Sequence, residues 1–295
     1  MSTEIASIVE PAVERYIPWD KSWLLRMGVL DLRHGQTDTV NFLDQQEVLN
    51  DDLRALRSAS EAWHDDEPVP VGESGTLYRF LQFMSWEDGL NKEFVKSGTL
   101  AERPITQDPS IIGLSQDELL RLDNRTSQWA SAAVLCGDPE RMEAAPPKLQ
   151  VTYDAVEAWE RQQTQGIPWL PRRDATIARQ ADAFTKLFRG EPPTFQPQQA
   201  EDYCFAVEFG YLRPAEGERR WPNLRGHESD RITEMAAAMD QAGNGEAVQS
   251  RDHRVVQAIA MWGRLMDREV ELAHPDAVSK SWPEFWDFLE TATAQ

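Results

Sequence analysis

Ten residues, NLRGHESDRI from Asn223 to Ile232, hold two arginines, a histidine, a glutamate and an aspartate. A carboxylate set among cations suits general acid–base chemistry, because its neighbours decide how readily it gives and takes a proton. Further cations sit in short motifs along the chain: Lys21 and Arg26 in KSWLLR, Arg79 in GESGTLYR, Arg103 in AERP, Arg254 in DHR and Lys280 in VSKSWPEFW. Guanidinium forks match carboxylates and phosphates, so these residues gathered in one place would hold a polyanionic substrate. Small polar residues accompany them: Ser22, Gly75 and Thr76, then Thr126, Ser127 and Gln128 in NRTSQ. A solvated charged face is the competing reading of NLRGHESDRI, and position alone does not choose between the two.

The composition sharpens the question. The chain has 295 residues, 41% of them hydrophobic and 27% charged, with a formal net charge of −20. That is the profile of a globular protein of about two domains. Nucleic acid as a partner is disfavoured, since its binding needs basic patches that displace counterions. In so acidic a chain a cationic pocket has to be built locally. No apolar run approaches the ~18 residues of a membrane span, and the N-terminus lacks a basic segment followed by an apolar one, so neither a membrane nor a secretory route is expected. Cys136 and Cys204 show neither metal spacing nor a disulfide framework, which points to a reducing cytoplasm.

The elements that would position these residues are mostly helices. Val48, Leu49, Leu53 and Leu56 share one face, as do Leu77, Phe80, Leu81 and Met84. Ser115 and Glu118 form a capping box in SQDELLRL. Ile232, Met235, Ala236 and Met239 follow the opening motif on one face, with a stop near Gly243. Pro283 suits the first turn of a helix in SWPEFWDFLE. TVNFL (39–43) and REVELAH (268–274) read as strands, so helices alternating with strands predict a layered α/β or α+β fold. Four segments share one plan, a polar or basic opening and then an apolar helix: GESGTLYRFLQFM, NRTSQWASAAVL, RRDATIARQADAF and SRDHRVVQAIAMW. Helix N-termini attract anions, although ordinary N-capping gives the same pattern. GEPPTFQPQQ (190–199) reads as the domain boundary.

In order along the chain, KSWLLR, GESGTLYR, AERP, TSQ, NLRGHESDR, DHR and VSKSWPEFW resemble the signature blocks of the EPSP synthase (3-phosphoshikimate 1-carboxyvinyltransferase) family. The resemblance implies an enzyme of the shikimate pathway of aromatic amino acid biosynthesis. Such an enzyme moves the enolpyruvyl group of phosphoenolpyruvate to the 5-hydroxyl of shikimate 3-phosphate and releases phosphate, without a metal or other cofactor. It also implies two domains of repeated βαβαββ units with helices packed inside each, closing on the substrates: 20–189, with the acceptor-binding blocks, and 1–19 plus 190–295, with Glu228, Arg231, Arg254 and Lys280. By carry-over, Lys21, Gly75, Thr76, Arg103, Arg231, Arg254 and Lys280 would hold phosphoenolpyruvate. Ser22, Arg26, Thr126, Ser127, Gln128 and Asn223 would hold the acceptor. Glu228 would exchange protons with the methylene carbon, Asp202 would meet the acceptor hydroxyl, and Lys21 and His227 would complete the catalytic set. Asp230 and Asp252 are expected to cap helices or orient arginines, His253 to pack, and Trp23 to shape the acceptor pocket.

The chain departs from the family in three ways. It is shorter between the blocks, so its hairpins look trimmed, and self-association would cover the exposed edges. His227 stands where the family has lysine, which makes a constant charge conditional on pH. Glu73 stands where the family has asparagine, and its carboxylate would repel phosphoenolpyruvate, so it faces a cation such as Lys21, or is protonated, or the ligand differs. The acceptor's serine and tyrosine are not legible near PPKLQVTYDAV. Two alternatives therefore stay open: an enolpyruvyl transferase with a different acceptor, and a non-catalytic anion-binding descendant.

Overall fold

The computed structural model describes residues 11–122, 126–137, 146–192, 195–221, 224–225 and 229–294. The chain divides into two compact units, one of residues 19–172 and the other of residues 1–18 with 173–295. Both are rich in helix. Helix α1 (Pro11–Glu14) belongs to the second.

The unit 19–172 is built on α2 (Lys21–Arg33), whose residues Trp23 to Leu32 are all buried. A helix apolar on every side has to be central. Around it stand α3 (Asp38–Asp44), α4 (Asp51–Ala62) and, further along the chain, α9 (Gln150–Gln165). Asp31 on α2 ties two of these neighbours. Its Oδ2 accepts from the Thr39 amide (2.8 Å) and hydroxyl (2.6 Å) on α3, and its Oδ1 from the Trp159 indole on α9 (2.9 Å). Burial pushes the Asp31 carboxyl above its ordinary value, and these hydrogen bonds work against that shift.

Strand β1 (Val69–Gly72) then leads into α5 (Gly75–Glu87) and β2 (Phe94–Lys96). The two strands pair in parallel, Val69 opposite Phe94 and Gly72 opposite Lys96, so α5 is a crossover helix. Ser74 caps α5 by accepting from the Leu77 amide. The short α6 (Gly98–Glu102) and α7 (Gln116–Leu122) follow, and then α8 (Gln128–Cys136), which packs along α5. The capping box at α7 is present: Glu118 accepts from the Ser115 amide (2.8 Å) and hydroxyl (2.6 Å).

The second unit repeats the strand–cap–helix–strand plan in reduced form. Val248 forms a parallel bridge with Leu272, and α14 (His253–Leu265), capped by Asp252, lies between them. Residues His253 to Met261 are buried without a break. Packed on α14 are α10 (Ala175–Phe188), α11 (Tyr203–Glu208), α13 (Arg231–Asn244) and α15 (Phe285–Thr293), with the short α12 (Glu216–Arg220) beyond. Trp282, Phe285 and Phe288 cluster here, with Trp282 4.7 Å from the Phe288 ring.

Among the described residues, helix content with one small sheet places the chain broadly in the α/β class. Several local expectations need correction. TVNFL lies in α3 rather than a strand, because Thr39 and Leu43, four apart, are its buried pair. In REVELAH only Leu272 pairs, by a single bridge. The left-handed residue ending α13 is Gly245 (φ 74°), not Gly243. Pro283 precedes Glu284, the N-cap of α15, and so lies outside that helix. GEPPTFQPQQ lies inside the unit that contains 173–295. Among the described residues no helix is long and apolar enough to cross a membrane.

Candidate functional site

In the unit 19–172 the capping of α2 places its first turn. Asp20 accepts from the Trp23 amide (3.0 Å), which fixes Lys21 and the exposed Ser22 at the helix start. Lys21 Nζ donates to Asp52 at 2.5 Å in an ion pair. One turn on, Arg26 points into the core and is 6% exposed. Its Nε donates to Thr152 Oγ1 (2.7 Å), Nη1 to the Ser22 carbonyl (2.7 Å) and Nη2 to Ser131 Oγ (3.4 Å). The guanidinium sits 5.3 Å from the Phe80 ring. Among the described residues it has hydroxyl and carbonyl partners but no ion pair. Burial lowers its pKa to about 10, with the charge of Asp20 opposing.

The start of α5 gathers two more guanidinia. A Cβ on Gly75 would lie 3.1 Å from Arg79 Nη1 and 3.4 Å from Arg103 Nη1, so both cover the first turn of the helix. Arg79 Nη1 donates to the Gly75 carbonyl (3.0 Å) and to Gln128 Oε1 (2.7 Å), and Gln128 Nε2 donates to Thr76 Oγ1. Gly75, Thr76, Arg79, Arg103 and Gln128 are thus brought together. Thr126 Oγ1 accepts from the Gln128 amide (3.2 Å), and Ser127 Oγ donates to the Lys148 carbonyl (3.3 Å). Two like charges over a helix N-terminus favour an anion between them. Glu73 lies at the edge: its Oε2 accepts from Thr99 Oγ1 (3.3 Å), which itself accepts from Arg103 Nη2 (2.8 Å).

In the second unit the opening motif leads into α13, as its composition suggests. Asp230 caps the helix through the Thr233 amide (3.2 Å) and accepts from Arg225 (2.8 Å). Arg231, the first helical residue, donates from Nε to Asp252 Oδ2 at 2.8 Å. Ser229 Oγ donates to the same oxygen at 2.6 Å, while Asp252 Oδ1 caps α14 through the Arg254 amide (2.9 Å). Burial opposes ionisation of Asp252. The charges of Arg231 and His253 and the bonds from Ser229 and Arg231 outweigh it and hold the carboxyl below the usual range. Asp230 and Asp252 therefore do the capping and orienting expected of them, and His253 is packed at 5% exposure.

Arg254 is 7% exposed, and its Nη1 is buried without a hydrogen-bond acceptor among the described residues. Beside this cluster burial pushes the Cys204 thiol up to about 12, which leaves it an inert packing group. Lys280 ends a short 3₁₀ turn, Pro275–Lys280.

Asp202 is fully buried. Its Oδ1 accepts from Gln180 (3.0 Å), and its Oδ2 from the amides of Gln198 (2.9 Å) and Gln199 (3.3 Å) and from Arg179 (3.3 Å). It binds a loop to α10. Asn223, His227 and Glu228 lie outside the described residues.

Sequence reasoning singled out Arg79 but gave it no place in the binding set, although it follows Gly75 by one helical turn. It missed Thr99, Ser131 and Thr152, single hydroxyl residues with no local pattern to mark them.

The comparisons with known proteins are narrow. A stretch of 37 residues is 43% identical to the 3-phosphoshikimate 1-carboxyvinyltransferase of Aquifex aeolicus. It makes up 12% of this chain and 9% of that protein. No family model matches the chain, and no solved structure matches it.

Proposed function

We propose that the protein is an enolpyruvyl transferase that moves the carboxyvinyl group of phosphoenolpyruvate to the 5-hydroxyl of shikimate 3-phosphate. The observation that carries this reading is Arg254, a buried guanidinium whose Nη1 has no acceptor among the described residues, at the N-terminus of a helix in a chain of net charge −20. A buried donor left without a partner costs about 1–3 kcal/mol, and a bound anion would offset that cost. The short likeness to a 3-phosphoshikimate 1-carboxyvinyltransferase supports the same chemistry.

In this reading Lys21, Gly75, Thr76, Arg103, Arg231, Arg254 and Lys280 hold phosphoenolpyruvate. Ser22, Arg26, Thr126, Ser127, Gln128 and Asn223 hold the acceptor. The acceptor hydroxyl loses its proton, and its oxygen attacks C2 of phosphoenolpyruvate as C3 takes up a proton. C3 then gives up a proton, the C2–O bond to phosphate breaks, and the enol ether forms. Glu228 is the proton carrier at C3, and His227 supplies a pH-dependent positive charge. The trimmed βαβαββ architecture belongs to this proposal: β1–α5–β2 and the bridge around α14 support it as two copies of one crossover.

A different acceptor is the second reading. Both Asp202 oxygens are occupied by donors of its own unit, which leaves the aspartate poorly suited to take the acceptor proton. Phosphate release from phosphoenolpyruvate, with and without shikimate 3-phosphate, tests the first reading. Release that needs the acceptor and collapses in Glu228→Gln is expected. Saturable binding of phosphoenolpyruvate without release would favour the second, and neither would refute both.

A further inference from the structure

At the end of α14 remote from Arg254, about 15 Å along the helix, the second unit holds a separate cavity of about 610 Å³. That is within the usual range of small-molecule sites, roughly 300–1,000 Å³. Its apolar lining includes Phe188, Val270, Trp286 and Leu289. Phe188, Val270 and Trp286 are only half-buried, so the lining offers apolar and aromatic surface that a ligand would cover. Four charged residues also line it: Arg264, Asp267, Arg268 and Glu269.

The sign of these charges restricts the ligand. A simple anion would meet two carboxylates, and a simple cation two guanidinia. Three helices end at this cavity, α10 at Phe188, α14 next to Arg264 and α15 at Thr293. Helix C-termini carry partial negative charge, which adds to Asp267 and Glu269 as a seat for an ammonium group. Arg264 and Arg268 then remain for a carboxylate, which suits their forked donors. Arg268 is partly oriented already, with its guanidinium 5.8 Å from the Trp262 ring.

We infer that this cavity binds an amphipathic zwitterion, an α-amino acid with an apolar side chain, its body against the apolar lining around Trp286 and its two charged groups at the four charged residues. The site is independent of the proposed transfer reaction, and its test reads binding directly.

Isothermal titration of the full chain with L-phenylalanine and L-leucine, with glycine, phenethylamine and hydrocinnamate as controls, decides the matter. Saturable binding of at least one of the two amino acids is expected, with each control at least about tenfold weaker. Arg268→Gln and Glu269→Gln change exposed side chains, so both variants should fold, and each should weaken binding about tenfold. The inference is overturned if neither amino acid binds, if a control binds as well, or if both variants bind like the parent.

Discussion

Glu208, the last residue of α11, offers a measurable consequence of burial. It is 7% exposed, and neither carboxylate oxygen has a hydrogen-bond partner among the described residues. Desolvation pushes its pKa well above the ordinary carboxylate value. The folded protein therefore keeps a proton that the unfolded chain releases above a pH of about 4.3. The sign follows from linkage: a raised folded pKa means stability is full below the unfolded value and is lost as the pH rises towards the folded one. The slope approaches about 1.4 kcal/mol per pH unit within that window. Glu208→Met removes both the titration and the unpaired oxygens. Leaving buried polar atoms unsatisfied costs about 1–3 kcal/mol, so the variant should gain about that much even where Glu208 is neutral. Urea denaturation of parent and variant at several pH values between about 5 and 8 isolates the group, because other carboxylates cancel in the difference. The advantage of the variant should widen with pH. A difference that stays constant across the range would refute the reasoning, since Glu208 would then be ionised and partnered in the folded state.

Other residues give shorter tests. Arg254→Met should abolish saturable binding of phosphoenolpyruvate, read by titration, yet leave stability unchanged or raise it by about 1–3 kcal/mol, because it removes a buried unpaired donor. Asp252→Asn should destabilise by about 3 kcal/mol in urea at neutral pH, since it removes the buried negative charge to which Arg231 Nε donates. The lowered pKa of Asp252 means that its stabilising contribution in the parent is present above the unfolded value of about 3.9 and is lost as the pH falls below it. Gly98→Ala should cost about 1–2 kcal/mol, because Gly98 has φ +49° and a Cβ there would lie 1.7 Å from Glu73 Oε1. Glu73→Ser in the same chain should restore the steric part but not the backbone part, as a double-mutant cycle in urea would read.

How much of this was legible depended on the range of the signal. Caps were readable because Ser115, Asp230 and Asp252 act on amides two or three residues away. The helices of the four repeated segments were readable too, since their apolar faces repeat locally, and α5, α8, α10 and α14 stand where those segments do. The strand reading of TVNFL failed because a short apolar run carries no period that separates strand from helix, and Thr39 is held by Asp31 on another helix. The hydroxyl seat of Arg26 was invisible for the same reason, as Ser131 and Thr152 reach it from helices over a hundred residues away.

The acidity of the chain makes its buried arginines informative. With 50 acidic residues against 30 basic ones, a guanidinium can find a carboxylate almost anywhere on the surface. Arg172, Arg225 and Arg54 do so, with Asp20, Glu218 and Asp51. Arg26 and Arg254 are instead withdrawn from water and have no ion pair among the described residues. Burial of an unpaired charge opposes folding, so general stability does not explain either residue. A structural role for Arg26 would be served as well by an apolar side chain of similar volume, which needs neither Thr152 nor Ser131 as partners. Under the proposed function an anionic group of a ligand would supply that negative charge at each position, each set in the first turns of a helix whose dipole has the same sign preference. The discriminating comparison is Arg26→Met: equal or greater stability with loss of acceptor-dependent turnover fits a ligand seat, whereas loss of stability of about 3–5 kcal/mol would make Arg26 part of the scaffold.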